Sequence, residues 1–556
     1  MREPKAVAAK VEKPSVLVLG NGPVGQTCAL LLARWGVSVT LLDARPRRDP
    51  IGSKAICQQR DVLDIWESVG VGHRLSHEGL TWDSARTFYR GAELFVQTLG
   101  STSGAEFPPF INISQARTEQ ILDEAIADEP FIAVHWDHQV TAIDQEARHV
   151  VVRCHTSAGQ VELRADYSVV CTGSRSDAIR RILDVSFSGQ SFDDRFLICD
   201  IRMQRPGWAH ERRFYFDPPW NPGRQVLIHP CPDSVFRVDW QVPGDYDLDS
   251  EAADGRLDAR IRAIIGDEPY EIVWKSVYRF QSRVVDHMRR GRVLLAGDCA
   301  HVVSPFGARG LNSGVADAEN AAWKLAYVLH GWADESLLDT YHAERHAAAL
   351  ENLDVTTATM RFLVPQTAEQ RLARERILER ALTDASARTL VDSGRLSEPF
   401  WYVDSPLVRA DPSRPFTGRP EVGRQPPPGP GRLMPDASIT LPGGGATRLR
   451  RLARGGLLVL TGFRTDIDQI AAGVAEATSS PARVLAVSAL DPSGTLAERL
   501  GMHADEVWIV RPDAYVAAVL SRPAATTIAD TVRQAIGVGW RTQSMAGVRP
   551  AGDVRN

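Results

Sequence analysis

No C-x-x-C pair occurs among the seven cysteines, which lie scattered at Cys28, Cys57, Cys154, Cys171, Cys199, Cys231 and Cys299. That scatter argues against zinc sites and a disulfide framework, and it fits a reducing cytoplasm. No apolar run approaches the roughly 18 residues needed to span a bilayer. Met1 to Pro14 mixes Lys, Glu and Ala without an apolar centre, so a secretory signal is not expected. Nor is there an excess of basic charge. The 64 Lys and Arg face 69 Asp and Glu, a net charge of -5, which gives no reason to expect nucleic acid or an anionic membrane as partner. Internal repeats are absent. What is present is an ordinary globular composition, 44% hydrophobic and 24% charged. The 556 residues are enough for roughly three domains.

Ser15 to Asp43 reads strand, glycine turn, helix, strand, which is a βαβ unit with a parallel strand pair. Val134 to Leu163 alternates in short β-like pieces, and Tyr167 to Cys171 adds a strand. From Phe214 to Val242, aromatic and β-branched residues alternate between turn signals, predicting an antiparallel sheet distinct from the nucleotide fold. Ala316 to Gly331 and Tyr341 to Leu363 read as helices. Pro and Gly crowd Asp411 to Pro435, an extended connector. Beyond it, Leu457–Thr461, Val484–Ser488 and Val507–Val510 predict three strands of a small α/β domain.

Two glycine signatures carry the chemistry. The first is Gly20-Asn21-Gly22-Pro23-Val24-Gly25, between the apolar run Val16–Leu19 and a helical stretch. In G-x-G-x-x-G the first glycine permits a tight turn, the second lets backbone approach a pyrophosphate, and the third lets helix and sheet pack closely. The helix start then faces the phosphates with free N–H groups. Asp43, ending the second strand, can accept hydrogen bonds from a ribose. The second signature is Gly297-Asp298-Cys299-Ala300-His301, continuing through Ser304-Pro305-Phe306-Gly307-Ala308-Arg309-Gly310-Leu311-Asn312 to a helix opening near Ser313. Asp298 can accept from a ribityl chain, and the N–H groups that follow can face the electron-rich edge of a flavin.

These motifs, with Ala318-Glu319-Asn320-Ala321-Ala322-Trp323-Lys324-Leu325 closing the second, resemble the class A flavoprotein aromatic hydroxylases. That family includes para-hydroxybenzoate hydroxylase, phenol hydroxylase and 3-(3-hydroxyphenyl)propionate hydroxylase. The resemblance implies an α/β fold: a Rossmann-like FAD-binding domain of the para-hydroxybenzoate hydroxylase type, an inserted, mostly antiparallel substrate sheet, and a C-terminal thioredoxin-like α/β domain. The expected division is a disordered tail 1–13, FAD-binding segments 14–185 and 281–365 and the substrate sheet 186–280. A helical segment 366–410, the linker 411–435 and the thioredoxin-like domain 436–545 follow. That last domain has no cysteine, so packing or dimerisation suits it better than thiol chemistry.

Residue by residue, the resemblance places Gly20, Gly22, Pro23, Val24, Gly25 and Asp43 at the pyrophosphate and ribose of non-covalent FAD. Lys54 stands where an Arg is usual, and Gln115 matches a Gln contacting FAD; an exposed polar residue is the alternative for both. Asp298 matches the ribityl contact, Pro305 the proline beside the reactive face, and Gly310, Leu311 and Asn312 the ring-edge donors. His301 is expected to be structural. Asn21 replaces a common Ala, and Ser304 stands where many members have Pro. Thr172, in Cys171-Thr172-Gly173, replaces an Asp linked to flavin and nicotinamide handling, which puts the reductive step in question.

The implied reaction takes electrons from NADPH or NADH, and a flavin C4a-hydroperoxide then delivers one oxygen atom of O2 to a phenolic or polycyclic aromatic substrate. Tyr215, His229, Arg237 and Trp240 are the candidate pocket residues, with an ordinary sheet position as the alternative for each. A halogenase, an epoxidase, a Baeyer–Villiger enzyme or a non-catalytic FAD-fold binding protein are the competing assignments; no W-x-W-x-I-P halogenase segment is present. A cytoplasmic monomer or homodimer without metal, nucleic acid or membrane is expected.

Overall fold

The computed structural model describes residues 14–50, 52, 54–99, 104–418 and 426–539. The expected tail 1–13 therefore lies outside the described residues, as do 419–425 of the linker and 540–545 at the chain's far end. Two compact units are present. Of the described residues, one comprises those up to Ala322, Arg345–Phe400 and Pro426; the other comprises Trp323–Glu344, Trp401–Gly418 and 427–539. The second unit thus draws in two segments from before the linker, where a single boundary was expected. Among the described residues, no helix is long and apolar enough to cross a membrane.

The first unit is organised by a six-stranded sheet in the order Arg289–Arg290, Val293–Leu295, Tyr167–Val170, Val16–Leu19, Val39–Leu42, Ile132–His135. All pairs except the first are parallel. Its central strands are mostly apolar because helices cover parallel sheets on both faces; Val16 to Leu19 are fully buried, and Thr40 and Ser168 are the buried polar residues of the neighbouring strands. The helix Pro23–Arg34 begins with proline near its first position, where the missing N–H costs nothing.

An eight-stranded sheet forms the other half of this unit, in the order His301–Val302, Glu271–Val285, Phe187–Arg202, Val235–Val242, Gln225–Cys231, Glu211–Phe216, Ser84–Tyr89, Ala92–Thr98. The last two strands come from residues expected to belong to the nucleotide fold. They join through a parallel pairing of Glu211–Phe216 with Ser84–Tyr89, the one parallel pair in this sheet. Side chains alternate between its two faces, with register shifts in the pairings of Phe187–Arg202 with Glu271–Val285 and of Ser84–Tyr89 with Ala92–Thr98. One face carries Phe196, Phe214, Phe216 and Leu227 against Phe306, Met360 and Leu363. The opposite face carries Val226, Ile228, Val238 and Trp240 against Leu257, Ile261 and Ile265 of the helix Arg256–Ile265.

The second unit is built on a four-stranded sheet, Ala482–Ala486, Leu457–Thr461, Glu506–Val510, Val516–Ser521. The first pair is parallel and the others antiparallel. Its helices Ile467–Ala477 and Ala525–Ala535 approach closely at Gly473, where a Cβ would meet Ile528 at 3.2 Å. The fourth strand was not expected, because Val-Ala-Ala-Val-Leu mixes in alanines of low strand preference. The strand predicted at 484–488 lies two residues earlier, and Val487–Leu490 turns helical. A buried ionic cluster ties the unit: Glu344 pairs with Lys324 Nζ at 2.7 Å and with Arg511 at 2.5 Å. Burial pushes the Lys324 ammonium down to about 8, and Glu344 keeps it from falling further.

Candidate active site

Two residues of the first signature are fixed by sterics. Gly20 has φ +108°, and a Cβ there would lie 2.4 Å from the Cys171 carbonyl oxygen. A Cβ on Gly25 would lie 1.9 Å from the carbonyl oxygen of Gly20. Gly22 differs: nothing lies within 4 Å of its missing Cβ, and its open side borders a cavity. No side chain caps the helix that starts here, so its first N–H groups point free toward that cavity. Asp43 accepts from the backbone N–H of Asn21 at 2.8 Å and from Arg45 Nε at 2.9 Å. Burial acts to raise the Asp43 carboxyl, but Arg45 and the Asn21 N–H outweigh it and hold it below the usual range. Arg48 donates to the Asn21 side chain at 2.9 Å and pairs with Glu119 and Asp123. Through Arg48, which also donates to the Asn21 backbone carbonyl at 2.7 Å, the turn is linked to the helix Gln115–Ala127, and the Asn21 side chain adds a second bond that the common Ala could not make.

The second signature meets the first directly. Val24 packs so tightly that a Cβ on Gly297 would lie 3.1 Å from it and one on Gly314 2.7 Å away. Gly297 has φ +68° and donates its N–H to Asp317 at 2.9 Å. Asp317, fully buried, also binds His301 Nε2 and Arg345 Nε, each at 2.6 Å. His301 is thus held behind the loop and away from the cavity. Pro305 lines the cavity, and Ala308 adopts a left-handed φ of +57°, a strained conformation for a residue with a Cβ. The helix after the loop starts at Arg309, four residues before the expected Ser313. Asn312 consequently sits in its first turn, where its side chain accepts from the Gln59 N–H and donates to the Cys57 carbonyl. Asp298 projects its carboxylate into the cavity, and burial of the surroundings raises it, against the pull of His301, Lys54 and Arg180.

One cavity of about 890 Å³ joins both signatures to the eight-stranded sheet. Gly20, Gly22, Pro23, Val24, Asp43 and Lys54 line it, as do Gln115, Asp298, Pro305, Gly310 and Leu311. Thr172 lines it too, its hydroxyl 2.6 Å from Ser176 Oγ. Gln115 accepts from the Ala55 N–H at 3.1 Å. Beyond Pro305 the walls become aromatic: Phe280 stacks on Phe196 at 4.4 Å, and Phe306 meets Phe196 edge-on at 5.4 Å. Of the sheet candidates, His229 and Arg237 face this chamber. Tyr215 and Trp240 do not. Tyr215 stacks on Phe88 at 4.6 Å and accepts from Arg213, and Trp240 is fully buried, both on the far face of the sheet. Arg237 and Trp240 stand three apart in one strand, so they cannot share a face. Arg237 is itself neutralised by a two-pronged pair with Asp200, at 2.8 and 3.0 Å.

Two chamber residues escaped the sequence analysis. Arg212 is buried, has no carboxylate partner among the described residues and donates only to the Ser393 carbonyl at 2.8 Å. Burial pushes its guanidinium down to about 10, against the pull of Cys57, Asp239 and Asp392. Asp239 carries a buried Oδ1 that accepts no hydrogen bond. The register Leu227↔Asp239 and His229↔Arg237 puts Asp239 on the same face as His229. That spacing of two from Arg237 was the signal available in the sequence.

Residues 13–356 match the FAD-binding-domain family, and residues 427–538 match the C-terminal region of aromatic-ring hydroxylases. A flavin-dependent monooxygenase of Mycobacteroides abscessus is 32% identical over 365 residues, 62% of this chain and 73% of that one. The chain belongs to the flavin-dependent monooxygenases. As a member of this family it is an enzyme, and its resemblance to class A aromatic hydroxylases holds. A 3-(3-hydroxy-phenyl)propionate/3-hydroxycinnamic acid hydroxylase of Mycobacterium sp. strain JLS is 28% identical, over 66% of this chain and 63% of its own length. The monooxygenase fold is shared with PieE, whose structure holds FAD and substrate, at TM-score 0.82, 22% identity and coverage of 95% and 100%. Aklavinone-11 hydroxylase, in a ternary complex with FAD and aklavinone, follows at TM-score 0.76, 23% identity and coverage of 94% and 99%.

Proposed function

We propose that this monooxygenase consumes NAD(P)H and inserts one oxygen atom of O2 into a phenolic or polycyclic aromatic substrate. The observation carrying this is one continuous cavity that runs from the glycine turn, past Asp298 and Pro305, into an aromatic chamber whose Arg212 has no carboxylate partner among the described residues. The residues fit FAD. Gly22 leaves space where any side chain would intrude, the helix behind it offers uncapped N–H groups, and Asp298 offers a carboxylate. In this assignment Gly20 to Gly25 hold the pyrophosphate and Asp43 the adenosine ribose. Lys54 and Gln115 flank the pyrophosphate and ribityl, Asp298 binds the ribityl, and the helix start at Gly310 to Asn312 faces the ring. Bound FAD supplies the electron transfer and oxygen activation. The chain's own residues exclude water with Phe196, Phe280 and Phe306, and orient the aromatic ring beside Pro305. His229 lies in the substrate chamber, whereas Tyr215 has no part in it. The strand order and helix placement of the second unit support reading it as thioredoxin-like.

A screen of phenols for stimulated NADH and NADPH oxidation, with product masses, tests the proposal. The expected result is a product heavier by one oxygen atom. Lack of stimulation by every phenol would sink it.

Arg212 predicts a preference for substrates with an acidic group. Replacing a charged hydrogen-bonding partner removes about 1.5–3 kcal/mol, so Arg212→Met raises KM for a carboxylated phenol about 10- to 100-fold. A neutral phenol of the same size should change little, and steady-state kinetics on the pair checks this.

A further inference from the structure

Oxygen insertion into a phenol needs an electron-rich ring, and a phenol is far richer once its hydroxyl proton has left. Building on the hydroxylase reading above, we propose that Asp239 is the base that takes this proton. In that step the phenolic O–H bond breaks, the proton bonds to an Asp239 carboxylate oxygen, and the electron pair stays on the substrate oxygen. The proton leaves to water when the product departs.

Every other carboxylate bordering the cavity is committed or sits elsewhere. Asp43 is bound by Arg45, and Glu119 by Arg48 and Gln115. Asp298 belongs to the loop of the second glycine signature. Asp200, one strand over from Asp239, is taken up by both prongs of Arg237. Asp239 alone lies on the chamber face of the sheet with an unused oxygen. The groups around it are Arg237 on its own strand, Asp200 and Cys199 on one neighbouring strand, His229 and Cys231 on the other, and Arg212 beyond. Burial and Asp200 push its carboxyl up while Arg237 and Arg212 pull it down, and it settles at about 7. The acid form therefore gives way to the basic form as pH rises through about 7. His229 cannot take its place: burial and the two arginines drive it well below its ordinary value, so its ring stays neutral and serves as a hydrogen-bonding wall.

The test uses FAD-loaded enzyme, the best phenol of the screen and its ring-fluorinated analogue, which is already ionised across the assay range. With the ordinary phenol, wild-type kcat/KM should rise with pH through about 7. Asp239→Asn should lower it about 100-fold or more, the usual share of a general base, and abolish that rise. The fluorinated phenol should lose less than about tenfold, because it has no proton to give. FAD content should match the wild type. Equal losses for both phenols, or an unchanged pH profile, would overturn the proposal. If the Asn variant fails to fold, Asp239→Glu decides: a shifted midpoint supports the assignment and an unmoved one overturns it. Absence of stimulation by any phenol in the wild type would remove the hydroxylase reading first and this step with it, a result distinct from failure of the variant alone.

Discussion

Gly25→Ala is expected to yield a protein without yellow colour. The added methyl would lie 1.9 Å from the Gly20 carbonyl oxygen, a distance no carbon–oxygen contact tolerates. Neither partner can give way. Gly20 lies so near Cys171 that a Cβ of its own would fall 2.4 Å from that carbonyl oxygen, and its N–H is bonded to the Leu42 carbonyl at 2.7 Å. The helix must therefore shift outward, carrying its N–H groups away from the proposed pyrophosphate position. Overpacking of this kind costs about 3 kcal/mol or more, which is about a hundredfold in FAD affinity. Flavin content after purification, followed by titration with added FAD, measures the loss. Gly22→Ala gives the contrast, since its Cβ meets no protein atom. That variant should fold with wild-type stability and lose affinity only through the clash with the ligand. Full flavin content in Gly25→Ala would refute the steric account.

The second large effect is at Asp317. Removing its carboxylate leaves Arg345 and His301 buried without their anion and frees the Gly297 N–H. Breaking a buried pair in this way costs about 3–5 kcal/mol, so Asp317→Ala should unfold at a markedly lower denaturant concentration. The pH dependence follows from its titration. Burial alone would raise this carboxyl, but His301, Arg345 and the Gly297 N–H bring it down to about 2 from an ordinary 3.8. A carboxyl lowered in the folded state adds stability above its unfolded value and loses it as pH falls through the folded one. The wild type should lose about 2 kcal/mol from this group between pH 4 and pH 2. Denaturant titrations at several acid pH values should show that slope, and Asp317→Ala should lack its share of it.

The parts of this enzyme that sterics dictates are legible in the chain. Gly20 and Gly25 have no room for a side chain, so the turn can be read letter by letter. The parallel strands of the nucleotide fold are equally plain because burial on both faces keeps them mostly apolar. The chamber is harder. Alternation marks Glu211–Phe216 and Val235–Val242 as strands, yet it does not say which parity faces the cavity. Arg212 and Arg213 are adjacent and chemically identical, and only the packing of Phe214 against Phe306 sends the first inward. Tyr215 and Trp240 look like pocket aromatics until the helix Arg256–Ile265 claims their face. The hairpin of Ser84–Tyr89 and Ala92–Thr98 is assigned to this sheet for another reason: Ser84–Tyr89 joins it through Glu211–Phe216, a strand more than a hundred residues away and beyond the reach of local pattern.

The alternating faces of the eight-stranded sheet also limit how this active site can change over evolutionary time. Inserting or deleting one residue within Gln225–Cys231 would turn His229 outward and bring Ile228 in, exposing a buried polar group to the core on the other side. New substrate preferences are therefore reachable through point substitutions at every second position, or through the loop at Leu396 that borders the same space. Length variation among descendants of this chain should accumulate in that loop and spare the strands.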